Sequence, residues 1–355
     1  MAKSDFAEET GIEIVELKAI GAMTGGESRQ RFLYYQLKMS MMRAEQIDII
    51  VSFLMESGVR MILKDLQRAL DRGVKVRILT GNYLGITQPS ALYLIKKELG
   101  GWVDLRFYND KARSFHPKAY IFHYENEGEI YIGSSNLSRS ALTSGIEWNY
   151  RFTKSRDREN FSLFYQTFLD LFENHSTVID DEELSRYSKG WHKPAVARDI
   201  EKYDSFGQQD EAKNEMLFQP RGVQIEALYA LENSRAEGAV RGLVQAATGV
   251  GKTYLAAFDS VNFKRGLFVA HREEILKQAA ESFRNVRPTD DCGFFDGKRK
   301  DTGRNMIFAS VFTLGREEYL TDEFFPCNYF DYIVIDDYAI IGLTRESPEI
   351  KAFAA

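Results

Sequence analysis

Apolar and polar residues alternate in two separate blocks along the chain, and each block predicts an α/β fold. In the first block, residues 27–46 space apolar positions at helical intervals, and residues 47–54 form a β-branched run that is typical of a buried strand. Helices and strands then alternate in the order expected of an α/β layer. The further predicted elements are the helices 57–73, 89–100 and 156–175 and the strands 75–81, 103–108, 118–122, 129–135 and 146–152.

A polar and poorly periodic stretch separates the two blocks. Residues 176–215 include the acidic run DDEEL and lack a sustained apolar pattern, which predicts a linker with room for one short helix. The second block then alternates again, with helices at 221–236 and 273–285 and strands at 241–248, 265–271, 305–312 and 331–337. We therefore predict a first domain at 1–175, a linker at 176–215 and a second domain at 216–355.

Composition limits the classes of function. The chain has 355 residues, 44% of them hydrophobic, which suits two globular domains. Its cysteines, Cys292 and Cys327, lie far apart and form neither a disulfide framework nor a CxxC metal pair. We find no signal peptide and no apolar run long enough to span a bilayer, so we expect a cytoplasmic protein without a membrane partner. The net charge of −6 implies that any nucleic-acid contact is a local basic groove.

One predicted hairpin of the first domain concentrates polar side chains. His116 and Lys118 face the same side of an extended segment, so the lysine can bind a phosphoryl oxygen beside the imidazole ring. Asn136 offers an amide donor and Ser134 a hydroxyl, while Glu147 can orient the histidine through its second ring nitrogen. An uncharged imidazole among such donors is suited to attack on a phosphodiester.

The glycine of the same hairpin has a structural role. Gly133 precedes the serines of the turn and allows the backbone to come close. A single histidine beside a proline is more often structural than catalytic. It is the joint occurrence of His116, Lys118, Asn136 and Glu147 that favours catalysis.

These residues resemble the phospholipase D superfamily, whose signature is HxK followed by a GSxN-type turn. The resemblance covers about residues 28–175 and implies an αβα sandwich in which His116 forms a phosphohistidine without a metal. In this family two HxK motifs make one active site, one histidine serving as nucleophile and the other as acid. Because the chain has a single HxK, the resemblance implies a homodimer with the site on the two-fold axis.

One position departs from the family pattern. An aspartate usually falls five residues after the lysine, and His123 stands there in this chain. The variant HxK…GSSN…E without that aspartate is similar to the single-motif nucleases and restriction endonucleases of the superfamily. The departure therefore indicates a subgroup and not a loss of activity.

The second domain carries a glycine-rich motif, AATGVGKT, at residues 246–253, between a predicted strand and a predicted helix. This is the context that a phosphate-binding loop requires. Backbone N–H groups around Gly249 and Gly251 can hold phosphates, Lys252 can reach the β and γ oxygens, and Thr253 can ligate Mg²⁺. We expect ATP with Mg²⁺ as the ligand.

The surroundings resemble superfamily 2 helicases and translocases, the group that contains type I restriction motor subunits. Gln224 matches the glutamine that contacts adenine, and residues 267–279 and 307–315 match the next two motifs, the first of which contacts the nucleic-acid backbone. In the place of the DExH box, the resemblance implies that Asp336 holds Mg²⁺. Asp337 takes the position of the acid that polarises the attacking water.

Several residues depart from the helicase pattern. Ala246 replaces the first glycine, Asp337 is one methylene shorter than the expected glutamate, and Ala339 replaces the histidine. Residues 340–355 have only a faint likeness to the motif that normally follows. We expect a truncated motor that binds nucleotide or DNA without translocating. The alternative is a folded remnant that packs against the nuclease or supports dimerisation.

Three functions follow from these patterns. The leading hypothesis is a metal-independent phosphodiesterase that cuts DNA, with RNA as an alternative, in restriction or anti-phage defence, with further defence-system subunits as candidate partners. The second is a nucleotide-dependent DNA-binding module whose first domain is a dimeric scaffold. The third is a lipid phosphodiesterase, which is least favoured because no amphipathic helix with a basic face is evident.

Overall fold

The protein is described by a computed structural model over residues 21–25, 31–110, 112–206, 218–319, 321, 323–326 and 328–336. The chain divides into two compact units, Met1–Asn214 and Glu215–Ala355. Each unit has its own sheet.

The described part of the first unit contains one sheet of eight strands. They are β1 (Ala22–Met23), β2 (Gln46–Val51), β3 (Lys75–Thr80), β4 (Val103–Tyr108), β5 (Lys118–His123), β6 (Gly128–Gly133), β7 (Asn149–Thr153) and β8 (Ser176–Val178). Their order across the sheet is β1-β7-β6-β5-β2-β3-β4-β8. The central strands β2, β3 and β4 are parallel, and the pairs on either side are antiparallel.

Helices cover both faces of this sheet. They are α1 (Leu33–Met41), α2 (Glu56–Asp71), α3 (Pro89–Leu99), α4 (Arg139–Thr143), α5 (Arg158–Asn174), α6 (Asp181–Gly190) and α7 (Ala195–Phe206). The long helix α5 packs Phe168 and Phe172 on Ile50, Leu79 and Ile121 of the central strands. Because α1, α2 and α3 contact the opposite face, β2 and β3 are buried nearly throughout, as parallel strands between two helical layers are. The predicted αβα sandwich is confirmed.

The structure corrects the predicted linker over residues 176–215. Residues 176–206 fold with the first unit, because β8 pairs with β4 and α6 and α7 follow it. The side chain of Asp180 caps α6 by accepting a hydrogen bond from Glu183 N. These two helices need only a few apolar residues, because they pack on the folded sheet and helices of the first unit and do not form a core of their own. Residues 207–215 lie outside the described ranges.

The second unit is built around a parallel sheet in the order β10-β11-β9-β12. Its described elements are the strands β9 (Gly266–Ala270), β10 (Cys292–Phe295), β11 (Met306–Ser310) and β12 (Tyr332–Ile335) and the helices α8 (Val223–Ala236), α9 (Lys252–Asp259), α10 (Glu273–Val286) and α11 (Val311–Leu314). Amphipathic α10 packs Leu276 and Phe283 on Phe268 and Phe308 of the sheet.

One predicted strand of this unit is wrong. Residues 241–247 have no regular secondary structure, and Leu243 is 87% exposed. A strand needs a neighbour for its backbone N–H and C=O groups, and none of the four described strands pairs with this segment. At the edge of the sheet, β12 exposes about half of Ile333 and Ile335, where a further strand could add.

We predict that Gly133→Ala destabilises the first unit. A Cβ atom at this position would overlap the backbone carbonyl of Trp148, so β6 and β7 would have to separate locally. We expect the free energy of unfolding to fall by about 1–3 kcal/mol, as for other overpacked sites. Urea denaturation followed by circular dichroism measures this change. Gly101→Ala is the control, since a Cβ there meets no atom within 4 Å; equal stability of the two variants would contradict the prediction.

Candidate active site and phosphate-binding loop

The predicted catalytic residues of the first unit meet at one edge of its sheet. Strands β2 and β3 end at this edge, β6 ends there at Gly133, and β5 begins there at Lys118. The carboxyl ends of parallel strands commonly form ligand sites in open α/β sheets. The HPK segment and the GSSN turn, which are far apart on the hairpin in sequence, therefore come to the same edge.

Lys118 lies directly against the ring of His116. Its Nζ is 2.8 Å from Nδ1 and 3.0 Å from Nε2 of the imidazole, and it donates to the His116 carbonyl oxygen at 3.0 Å. Lys118 is only 7% exposed, whereas the His116 side chain faces solvent. A cation is thus held beside an accessible imidazole.

This contact affects both ionisations. Partial burial and the charge of Lys118 lower the pKa of His116, which favours the uncharged ring. Burial also lowers the pKa of Lys118, and the carboxylate of Glu147 opposes that change. An uncharged nitrogen beside an ammonium group is the arrangement that attack on a phosphodiester requires.

Asn136 connects the GSSN turn to the end of β2. Its Oδ1 accepts hydrogen bonds from Ser52 N at 3.0 Å and from Phe53 N at 3.3 Å, and the side chain is buried. Both bonds fix the plane of the amide. Within the described residues the Asn136 amide nitrogen has no hydrogen-bond partner, so it can donate to a ligand.

Ser134 and Glu147 bond to each other. Ser134 Oγ donates to the Glu147 carboxylate and accepts from Trp148 N at 3.0 Å. The segment 146–148, predicted as the start of a strand, instead lies before β7. The predicted hydrogen bond from His116 to Glu147 stays a prediction.

His123 lies away from the site, although it follows Lys118 closely in sequence. It ends β5, about 16 Å along the strand from Lys118 at the usual rise per residue. There its Nε2 is 3.5 Å from Asp48 Oδ2, and Asp48 pairs with buried Arg77. The family position that departs from the signature therefore lies beside the buried Asp48–Arg77 ion pair, away from His116 and Lys118.

A cavity of about 670 Å³ adjoins the cluster. Asn136 and Glu147 line it together with residues of α4 and α7 that sequence reasoning missed. Those lining residues are Ser140, Ala141, Ile200 and Tyr203. The only available signal was the helical spacing of apolar residues in 195–206, a segment that we predicted to be linker.

In the second unit, helix α9 begins inside the glycine-rich motif. Gly249 and Gly251 have φ angles of 82° and 80°, a region that suits glycine and turns the chain into the helix. The first N–H groups of α9 have no partner within the helix, and Lys252 Nζ donates to Ala246 O at 3.1 Å. Thr253 is the second residue of the helix.

Gln224 of α8 contacts the loop. Its Nε2 donates to Val250 O at 3.0 Å and to Gly251 O at 3.3 Å, while its Oε1 accepts from Arg221 N. Gln224 therefore supports the conformation of the loop. Its predicted contact with adenine stays a prediction.

The acidic motif follows β12. Asp336 N donates to Val269 O at 3.0 Å, which continues the pairing of β12 with β9. Asp337 and Ala339 lie outside the described residues. The donors fit a nucleotide with Mg²⁺, since the start of α9 and Lys252 suit phosphates and Thr253 and Asp336 offer hard oxygen ligands. In the described ranges no three His, Cys, Asp or Glu side chains cluster as a metal site by themselves.

Comparisons with known families divide the chain in the same way. Residues 37–175 match the family model described as cardiolipin synthase, PLD-like domain, and residues 217–338 match that of the type III restriction enzyme, res subunit. No match was found among curated proteins. The chain thus carries a phospholipase D-like domain followed by a helicase-like region with a RecA-like fold.

Several solved structures are similar to part of the chain. A phospholipase D family member, Nuc from Salmonella typhimurium, is 21% identical and covers 39% of this chain and 86% of its own, with a TM-score of 0.31. NucT from Helicobacter pylori is 19% identical and covers 39% and 87%, with a TM-score of 0.30. Phosphatidylserine synthase from Haemophilus influenzae is 13% identical and covers 50% and 43%, with a TM-score of 0.35.

None of the helices in the described ranges combines the length and the apolar character that a bilayer span requires.

We predict that Lys118→Met raises the pKa of His116. The substitution removes the neighbouring positive charge while keeping an unbranched side chain, so protonation of the ring becomes easier. NMR titration of the imidazole resonances measures the pKa, with His116→Ala assigning the signal. Lys75→Met is the control, because Lys75 begins β3 at the opposite edge of the sheet. A pKa of His116 that is unchanged or lower in Lys118→Met would contradict the assignment.

We predict that Lys252→Ala weakens binding of ATP with Mg²⁺ by about 10- to 100-fold, the usual effect of losing a hydrogen bond to a charged group. Titration with a fluorescent ATP analogue measures the affinity. Lys277→Ala is the matched control, since Lys277 is an exposed lysine of α10 that pairs with Glu273. Equal affinities of the two variants would show that Lys252 does not contact phosphate.

Proposed function

We propose that the protein is a metal-independent phosphodiesterase that cleaves DNA through His116, in a homodimer. The observation that carries this proposal is the contact between buried Lys118 and the exposed ring of His116. The phospholipase D-like domain supports phosphodiester chemistry in general. The nucleic-acid substrate is supported by the attached helicase-like region.

The reaction begins with attack by an uncharged His116 nitrogen on the phosphorus atom. A phosphorus–nitrogen bond forms as the phosphorus–oxygen bond to the leaving strand breaks, and the departing alkoxide takes a proton from an acid. Water then hydrolyses the phosphohistidine and restores the imidazole. Lys118 stabilises the negative charge on the phosphoryl oxygens in both steps.

The remaining residues position the phosphate. The Asn136 amide is held by the backbone at Ser52 and Phe53, so its nitrogen can donate to a phosphoryl oxygen without reorientation. Ser134 adds a hydroxyl to the same cluster, and Glu147 restrains that hydroxyl by accepting its hydrogen bond. Glu147 also contributes negative charge near Lys118.

The acid comes from His116 of a second copy. A single HxK motif supplies one histidine for each chain, whereas the two steps need a nucleophile and a proton donor. Ile146, Trp148 and Tyr150 next to Glu147 are exposed apolar side chains, and association of two copies through this surface would remove them from water. Both histidines would then face one phosphate.

In this proposal the helicase-like region binds ATP with Mg²⁺ through Gly249, Gly251, Lys252, Thr253 and Asp336. The region binds DNA, and bound nucleotide changes its affinity for DNA. The pairing of a nuclease with a restriction-type motor region supports a role in restriction or anti-phage defence, with other defence subunits as partners.

We expect the purified protein to nick supercoiled plasmid in excess EDTA, and His116→Ala to abolish the activity. The reason is that the proposed nucleophile is the ring itself, with no metal-bound water. Gel electrophoresis measures the cleavage, and light scattering after size exclusion measures the mass. His175→Ala is the control, because His175 follows α5 beside β8, several strands away from β5.

Other results would decide against the proposal. Plasmid that shifts in a gel with nucleotide but stays intact would favour the DNA-binding module. Release of a headgroup from phospholipid vesicles without nicking would favour the lipid phosphodiesterase. Cleavage by a protein of monomeric mass would remove the second histidine from the mechanism.

A further inference from the structure

Helix α7 forms one wall of the cavity at the candidate active site. Its residues Ile200 and Tyr203 line the same cavity as Asn136 and Glu147. The family match ends at residue 175, and α7 begins only at Ala195. The wall is therefore a feature of this chain that the matched domain does not include.

Polar contacts hold α7 in place. Asp204 is 5% exposed, and its carboxylate accepts hydrogen bonds from Ser57 Oγ and from Ser140 N, the second at 2.7 Å. One turn earlier, Glu201 accepts a hydrogen bond from Gln88 Nε2 at 2.6 Å. These bonds fix the helix to the start of α2, to α4 and to the residue before α3.

Apolar contacts complete the attachment. Ala197 is fully buried, and together with Ile200 it packs on Phe53, Met55 and Ile86. The backbone N–H of Phe53 is one of the two donors that hold the Asn136 side chain. The wall and the amide donor thus share one rigid support.

Tyr203 is an aromatic residue on the exposed side of α7. It is 65% exposed, although Asp204 beside it is buried. An aromatic ring that faces an open cavity on a fixed helix offers a flat apolar surface at little cost in side-chain entropy. Nothing in the packing of α7 requires a large side chain there.

We propose that Tyr203 stacks on an unpaired nucleobase next to the scissile phosphate. This subsite rests on the proposed function, since Asn136 in the same cavity is taken to bind that phosphate. Base stacking on aromatic side chains is a common mode of single-strand binding and tolerates any sequence. The cavity volume of about 670 Å³ lies in the usual range for small-molecule sites and can hold a nucleotide.

The test measures binding and not cleavage, so that the two proposals fail separately. A short single-stranded DNA with one 2-aminopurine is titrated into the His116→Ala protein, and quenching of the fluorescent base reports stacking. In the His116→Ala protein, the additional substitution Tyr203→Ala should weaken DNA binding by about 5- to 100-fold, the usual contribution of one stacked base. It should also abolish the quenching. Tyr203→Phe should preserve both.

Two further variants serve as controls. Tyr203→Leu keeps apolar volume without an aromatic face and should behave as Tyr203→Ala, while circular dichroism verifies that α7 still folds. Trp102→Ala removes an exposed aromatic residue from the amino-terminal side of β4, at the opposite edge of the sheet, and should change nothing.

The outcomes separate the two ideas. Binding and quenching that are the same with and without the Tyr203→Ala substitution would overturn the stacking subsite and leave the nuclease intact. A loss of affinity for duplex and single strand alike, without any quenching, would also overturn it. Absence of DNA binding by the protein that retains Tyr203 would overturn the subsite and the DNA substrate together, whereas cleavage in EDTA tests the histidine chemistry alone.

Discussion

The hydrogen bonds that the Asn136 side chain accepts from Ser52 N and Phe53 N determine the geometry of the active edge. They connect the turn after β6 to the end of β2, two segments that lie 84 positions apart in sequence. On one side of this connection are Lys118 and His116. On the other side Phe53 packs against α7, so the same buried amide connects the GSSN turn to the support of the cavity wall.

The positions of most candidate site residues in the first unit could be predicted because short motifs carry them. His116 and Lys118 needed only the alternation of an extended segment to be placed together, and Gly133 needed only the absence of a side chain where β6 and β7 approach. Glu147 was harder to assign. Its bond to Ser134 depends on a loop between Gly145 and β7 whose conformation no local pattern specifies. Tyr203 could not be predicted, because α7 is held by contacts with residues that lie more than 60 positions away in sequence.

In the second unit, the glycine-rich loop could be predicted from the sequence and the strand before it could not. The loop around Gly249 and Gly251 follows from residue type, since both adopt backbone angles that suit glycine. The predicted strand before this loop is wrong, because a strand forms only where a neighbouring strand provides partners for its backbone N–H and C=O groups. Its β-branched and apolar residues favour extended structure, but the described sheet provides no partner for them.

The position of α7 also determines what recombination within the gene would transfer. The proposed catalytic residues lie within the matched domain, but the cavity wall beside them is encoded some twenty to thirty codons further on. Recombination at the end of the matched domain would transfer the proposed catalytic residues without the cavity wall beside them. The unit that must be exchanged to conserve both extends to the end of α7, and a gene fusion joined earlier would keep the proposed catalytic residues while replacing the proposed nucleobase surface.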